Sequence, residues 1–160
     1  LLKTNGLLLR KQLQNTEILD NAQLSISIDA GSKPVFENIR LGGNWEVLLD
    51  NFNFLVENNK QEVTTLNFTI QNNNYFDLEN FVSLCEKYKF AGSVSKLDDW
   101  GTWNDKTVVN PDKWTQQNGY FFEHDVLHLD HKNYKAAKQV CTKFLDHPLV
   151  NITSSIIERL

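Results

Sequence analysis

Stretches of alternating apolar and polar residues take turns along this chain with stretches whose apolar residues recur every three or four positions. Gln23–Ile28, "QLSISI", Val63–Ile70, "VTTLNFTI", and Phe90–Leu97 read as strands. The segment "NWEVLLDNFNFLVENN" puts Trp45, Leu48, Leu49, Phe52, Leu55 and Val56 on one helical stripe, behind a capping Asn44. A second stripe, Leu78, Phe81, Val82, Cys85 and Tyr88, predicts another helix, with Asn74 or Asp77 as its cap. The opening "LLKTNGLLL" reads as the tail of a strand, a turn at Asn5-Gly6 and a short helix over Leu7–Leu13. Strands separated by helices must run parallel, because each helix carries the chain back to the starting edge. The predicted class is therefore α/β with a parallel sheet. Its carboxyl-end loops are Thr4–Gly6, Ser27–Gly31, Gln71–Asn74 and Lys96–Trp100, all polar, and ligands of parallel sheets bind at that end.

The last third follows no such rhythm. Residues 101–121 hold Trp103, Pro111, Trp114 and Gly119 without periodicity and read as an irregular excursion. Phe122–Leu129 reads as a further strand and His131–Leu145 as a helix, closed by Pro148. Ser155–Glu158 has the spacing of a capping box and predicts a last helix.

Charge and cysteine usage narrow the classes. The net charge is −4 and no Lys/Arg block exceeds two residues, which argues against a nucleic-acid footprint. No run approaches the roughly 20 apolar residues of a membrane span. Cys85 and Cys141 both fall in helical stretches and read as small buried hydrophobes, too few for a disulfide framework or a four-cysteine metal site. With no secretory pattern at the start, the expected setting is reducing and cytoplasmic. Asn67 and Asn151 match the glycosylation acceptor pattern, which that setting leaves unused.

The order "TNG", then "SID" about twenty residues on, then "FTIQNNNYFDLENF", then a strand ending "KLDDWGTW", resembles radical S-adenosylmethionine enzymes, most of all the subgroup with a C-terminal twitch or SPASM-like extension. The resemblance covers about Leu1 to Trp103 and, more weakly, the tail. It implies a partial (βα) barrel over residues 1–100, with residues 101–160 as a C-terminal extension packed on the same domain. In that family a CxxxCxxC motif after the first strand holds a [4Fe–4S] cluster, and the "TNG" strand is the third. The resemblance thus implies a barrel truncated at the N-terminus, a fragment lacking the cluster ligands. S-adenosylmethionine and the cluster belong to the full-length parent; neither is expected on this chain, nor is radical chemistry. The resemblance places Thr4 and Asn5 at the cofactor, Ser27 and Asp29 at its ribose or amino acid end, and Gln71 and Asn74 at the end of the next strand. Their residue types also allow turn roles for Asn5 and Asp29, a helix cap for Asn74 and a core hydroxyl for Ser27. The alternative reading is a complete, non-catalytic α/β binding or interaction domain.

Three further features carry weaker signals. His124, His128 and His131 in "EHDVLHLDH" would share a face only on a helix; the strand-like pattern between them predicts no metal site. Trp100, Trp103 and Trp114 beside Asp98 and Asp99 read as aromatics packing a loop, with a substrate pocket as the second reading. A barrel lacking its first strands would leave an open edge before Asn5 and an apolar patch at Leu7–Leu9, so a homo-oligomer is expected.

Overall fold

The computed structural model describes residues 1–98 and 123–160. Five parallel strands form one sheet: β1 (Leu2–Thr4), β2 (Leu24–Ser27), β3 (Thr64–Ile70), β4 (Ala91–Lys96) and β5 (Val150–Ile152). Their spatial order is their sequence order, β1-β2-β3-β4-β5, and the sheet is open, with β1 and β5 as its edges. The helices are α1 (Leu9–Leu13), α2 (Ile18–Asn21), α3 (Lys33–Ile39), α4 (Trp45–Glu57), α5 (Leu78–Tyr88), α6 (Tyr134–Thr142) and α7 (Ser154–Ile157). Because every strand is added on the same side of the last, right-handed crossovers lay the helices along one face. Neighbours along that layer touch in turn: α1 with α4, α4 with α5, α5 with α6.

The alternation in the sequence decides which face they cover. Leu24, Ile26, Leu66, Phe68, Ile70, Val94, Val150 and Ile152 are buried and meet Leu48, Phe52, Leu55, Phe81 and Cys85 of the helices. Phe68 and Phe81 rings lie 5.0 Å apart, and Phe52, Tyr88 and Phe90 form a second ring cluster with centroids 5.3–5.6 Å apart. Asn44 caps α4 as predicted, its Oδ1 accepting the Val47 N–H at 2.9 Å. Gly92 lets β5 and α5 close on β4: a Cβ there would lie 2.9 Å from Val150 Cγ2 and 3.0 Å from Cys85 Sγ.

Several expectations need correction. Residues 125–130 form tight turns rather than a strand, with Val126 N–H bonded to His124 O at 2.9 Å and His128 N–H to Asp125 O at 2.9 Å. Val126 and Leu127 are buried there as turn residues, which explains the apolar pattern without a ladder. Leu9 is buried and Leu7 half-buried, so Leu7–Leu9 is not one exposed patch. Neither Asn74 nor Asp77 caps α5 with its side chain. The strand β5 and the helix α3 were not read from the sequence. No described helix is long and apolar enough to cross a membrane.

Burial pushes both thiols, Cys85 and Cys141, up to about 12. Between the ordinary value near 9 and 12 the unfolded chain therefore binds fewer protons than the folded one, so stability falls as pH rises through that window, by at most about 1.4 kcal/mol per pH unit for each thiol. Urea unfolding at pH 8 and pH 10.5 should show a smaller loss in a Cys85→Ala/Cys141→Ala variant than in the parent. An equal loss in both would show that the thiols do not couple to folding.

Candidate functional site

The carboxyl ends of β2 and β3 are joined by three buried polar side chains. Asp29 ends β2 in the left-handed region, at φ 53, where a short polar side chain is tolerated. Its Oδ1 accepts the Thr69 N–H at 2.7 Å, and its Oδ2 pairs with the Arg40 guanidinium, which folds back from the end of α3. Asn74 is fully buried. Its Nδ2 donates to Asp29 O at 3.0 Å and Thr69 O at 2.9 Å, and its Oδ1 accepts the Gln71 N–H at 2.8 Å. Asp77 accepts the Gly31 and Ser32 N–H groups at 2.6 and 3.0 Å and the Asn80 side chain at 2.7 Å. It thereby ties the start of α3 to the start of α5. Gly31 passes so close to α5 that a Cβ would lie 1.9 Å from Phe81 N.

The residues singled out from the sequence divide into two groups. Asp29 and Asn74 come together in this knot, and their polar atoms are used inside it. Thr4 Oγ1 accepts the Gly6 N–H and Asn5 Oδ1 the Leu7 N–H, each at 3.1 Å, so both close the turn after β1. Ser27, half-buried, lies in register with Asn67, and half-buried Gln71 makes no side-chain hydrogen bond among the described residues. Two solvent-shielded polar atoms in these loops, Arg40 Nε and Asn73 Oδ1, have no hydrogen-bond partner among the described residues.

Sequence reasoning missed the face of the sheet opposite the helices. It carries Lys3, Ser25, Thr65 and Ala91 in one row, Ser27, Asn67, Ser93 and Asn151 in the next, and Thr69 and Ser95 in a third. Most are half-buried, and no carboxylate stands among them. Asn67 Nδ2 donates to Ser25 Oγ at 2.9 Å. A groove of about 320 Å³ at the amino-end of this face is bounded by Gln23, Ser25, Glu62, Thr65, Asn67 and Ser93. Parallel sheets are normally apolar on both faces. The signal was present in the strict alternation of "LSIS" and "TTLNFTI", which marks a strand with one polar face.

The histidine cluster is spread over turns. His131 contacts Glu123 O through Nε2 at 3.0 Å and accepts the Asn133 N–H at 3.1 Å through Nδ1. His128 Nδ1 accepts the Asp130 N–H at 3.3 Å. Among the described residues no group of three or more His, Cys, Asp or Glu side chains is placed to hold a metal ion. Asp125, buried within this segment, pairs with Arg159 at 2.8 Å. Asp98 pairs with Lys96 at the end of β4, while Asp99, Trp100, Trp103 and Trp114 lie outside the described residues.

Comparison with protein-family models, with curated proteins and with solved structures finds no match to this chain. The fold and site define an open, singly wound α/β sheet whose second face is polar and carries no carboxylate.

The knot should be measurable. Gly31→Ala forces α5 off the loop and is expected to lower stability by about 1–3 kcal/mol. Asp77→Ala strands two backbone N–H groups, at about 1–3 kcal/mol each. Because both changes break one contact, the double variant should lose less than the sum. Full additivity in urea unfolding would show that Gly31 and Asp77 act separately.

Proposed function

We propose that this chain is part of a (βα) barrel of the radical S-adenosylmethionine type and contributes to its cofactor pocket. The observation that carries this reading is the sequential strand order combined with a polar second face free of carboxylates. An open doubly wound sheet reverses its strand order and covers both faces with helices. A sheet wound in one direction keeps its helices outside and turns its other face inward, as barrels do. Serine, threonine and asparagine on that inner face, with Gln71 at its carboxyl end, suit ribose hydroxyls and an α-amino group. The unpartnered Arg40 Nε and Asn73 Oδ1 add a donor and an acceptor at the same end of the sheet.

The residues present do not fit the cluster of that family. A cluster needs converging thiolates, whereas Cys85 and Cys141 are buried on separate helices and held as thiols. The part assigned to this chain is binding and orientation of the cofactor.

The reading is tested by titrating ¹⁵N-labelled protein with S-adenosylmethionine to millimolar concentration. Amides of Thr4, Asn5, Ser27, Gln71 and Asn73 should shift together. No shift, or shifts confined to the helical side, would overturn it.

The same reading leaves β1 as an edge strand, whose outward backbone groups are a template for pairing with a second copy. Light scattering at micromolar concentration should give at least a dimer mass, reduced toward the monomer by Lys3→Pro, which removes a donor from the edge. A monomer in both would remove edge pairing from the proposal.

A further inference from the structure

The helix α6 separates charge more sharply than any other described element. Ala137 and Cys141 are buried, with Tyr134, Val140 and Phe144 packed beside them, and these define its inward side. Within α6, helical spacing puts Lys135, Ala136, Lys138, Gln139 and Thr142 away from that side, with Lys132 just before the helix and Lys143 just after it. All but the half-exposed Lys138 are open to solvent. No carboxylate occurs between Lys132 and Lys143. These four lysines sit in a chain of net charge −4, so the rest of the chain carries −8. Lys143 pairs with Glu79, but Lys132, Lys135 and Lys138 have no ion pair among the described residues. A shallow groove runs between Lys135, Lys138, Gln139, Thr142 and Lys143. The other long helices differ. On α4, Glu46, Asp50 and Glu57 all take basic partners, Lys33 or Arg10.

We infer that the outward face of α6 is a docking surface for an acidic protein segment, rich in Asp and Glu. Charge complementarity selects the sign of the partner: Lys132, Lys135 and Lys138 form no ion pair among the described residues, Lys138 lying over the Tyr134 ring at 5.9 Å, and a cationic surface steers an anionic one to it. The rest of the molecule selects its class. A strongly negative remainder repels a long polyanion such as nucleic acid at distances beyond this patch. Ala136, Gln139 and Thr142 are the only non-cationic residues on the face, so it has no apolar wedge to enter a bilayer. A short acidic segment needs neither. It would lie along the groove, its carboxylates meeting Lys132, Lys135 and Lys138 over two turns of helix, and its affinity would fall with salt as the contacts are screened.

The test is fluorescence anisotropy of a labelled glutamate-rich peptide at low ionic strength. Three proteins are compared: the parent, Lys132→Glu/Lys135→Glu/Lys138→Glu, and Lys3→Glu/Lys11→Glu/Lys89→Glu, which makes the same change in net charge elsewhere. Loss of the α6 lysines should weaken binding by about tenfold or more, from three exposed charge contacts, while the control changes it by less than about threefold. Circular dichroism should show both variants folded, since all six lysines lie outside the core. No binding to the parent, or equal loss in the control, would overturn the inference. So would tighter α6-dependent binding to single-stranded RNA or to phosphatidylserine vesicles than to the peptide.

Discussion

The side-chain amide of Asn74 is the joint on which the carboxyl end of this sheet depends. It bonds two carbonyls, of Asp29 and Thr69, that the ends of β2 and β3 leave without ladder partners. Its oxygen holds the loop after β3 in shape through Gln71. An amide is the only side chain type with both donors and an acceptor fixed in one plane, so no carboxylate or hydroxyl makes the same three bonds. Buried fully, it leaves up to three backbone groups stranded if removed, each costing about 1–3 kcal/mol. The next loop depends on it in turn. With Asp29 held by Asn74, its carboxylate is aimed at Thr69 N–H and Arg40, and Arg40 draws the end of α3 onto the sheet.

The two faces of the sheet follow from a different constraint. Winding in one direction supplies helices to one face only, and the large apolar residues of the strands point there. The chain does not compensate with a hydrophobic second face. It places hydroxyls and amides there, whose cross-strand contacts, such as Asn67 with Ser25, satisfy them in part. Interiors of (βα) barrels are usually filled by bulky branched side chains. The three rows on this face hold mostly hydroxyls and amides instead.

What could be read from the sequence was set by how local each signal is. The stripe of α4 and its Asn44 cap are local, and both stand as expected. Strand β2 announced itself by alternation and β3 by its run of β-branched residues. β5 has only three residues, Val150–Ile152, and exists because Gly92 lets it approach β4, a contact 58 residues away in the chain. The segment 125–130 buried Val126 and Leu127 through turns, so its apolar residues imitated a strand. At the site, Asp29 and Asn74 were visible as polar residues at strand ends, but their roles were set by partners roughly 40 residues distant. Arg40 carried no local mark at all and Asp77 only that of a candidate helix cap, since their function lies in which groups they meet across the fold.

The same partners bear on the recognition proposed for this end of the sheet. The buried acids Asp29 and Asp77 are both engaged, one by a guanidinium and the Thr69 amide, the other by two backbone amides and Asn80. The charge of Asp29 is thus paired locally with Arg40, and that of Asp77 is held by amide donors. Side chains left facing outward, Ser27, Asn67, Thr69, Gln71 and Ser93, are neutral and short. On the proposed reading, a ligand there gains little from net charge. It gains from matching donors to acceptors, and an analogue lacking one such group leaves a site polar group unpaired, which is how hydrogen-bonding sites discriminate most strongly. Such discrimination requires the groups to stay in place. The rigid knot of Asn74, Asp29 and Asp77 behind them, closed by the contact of Gly31 with α5, provides that fixed geometry.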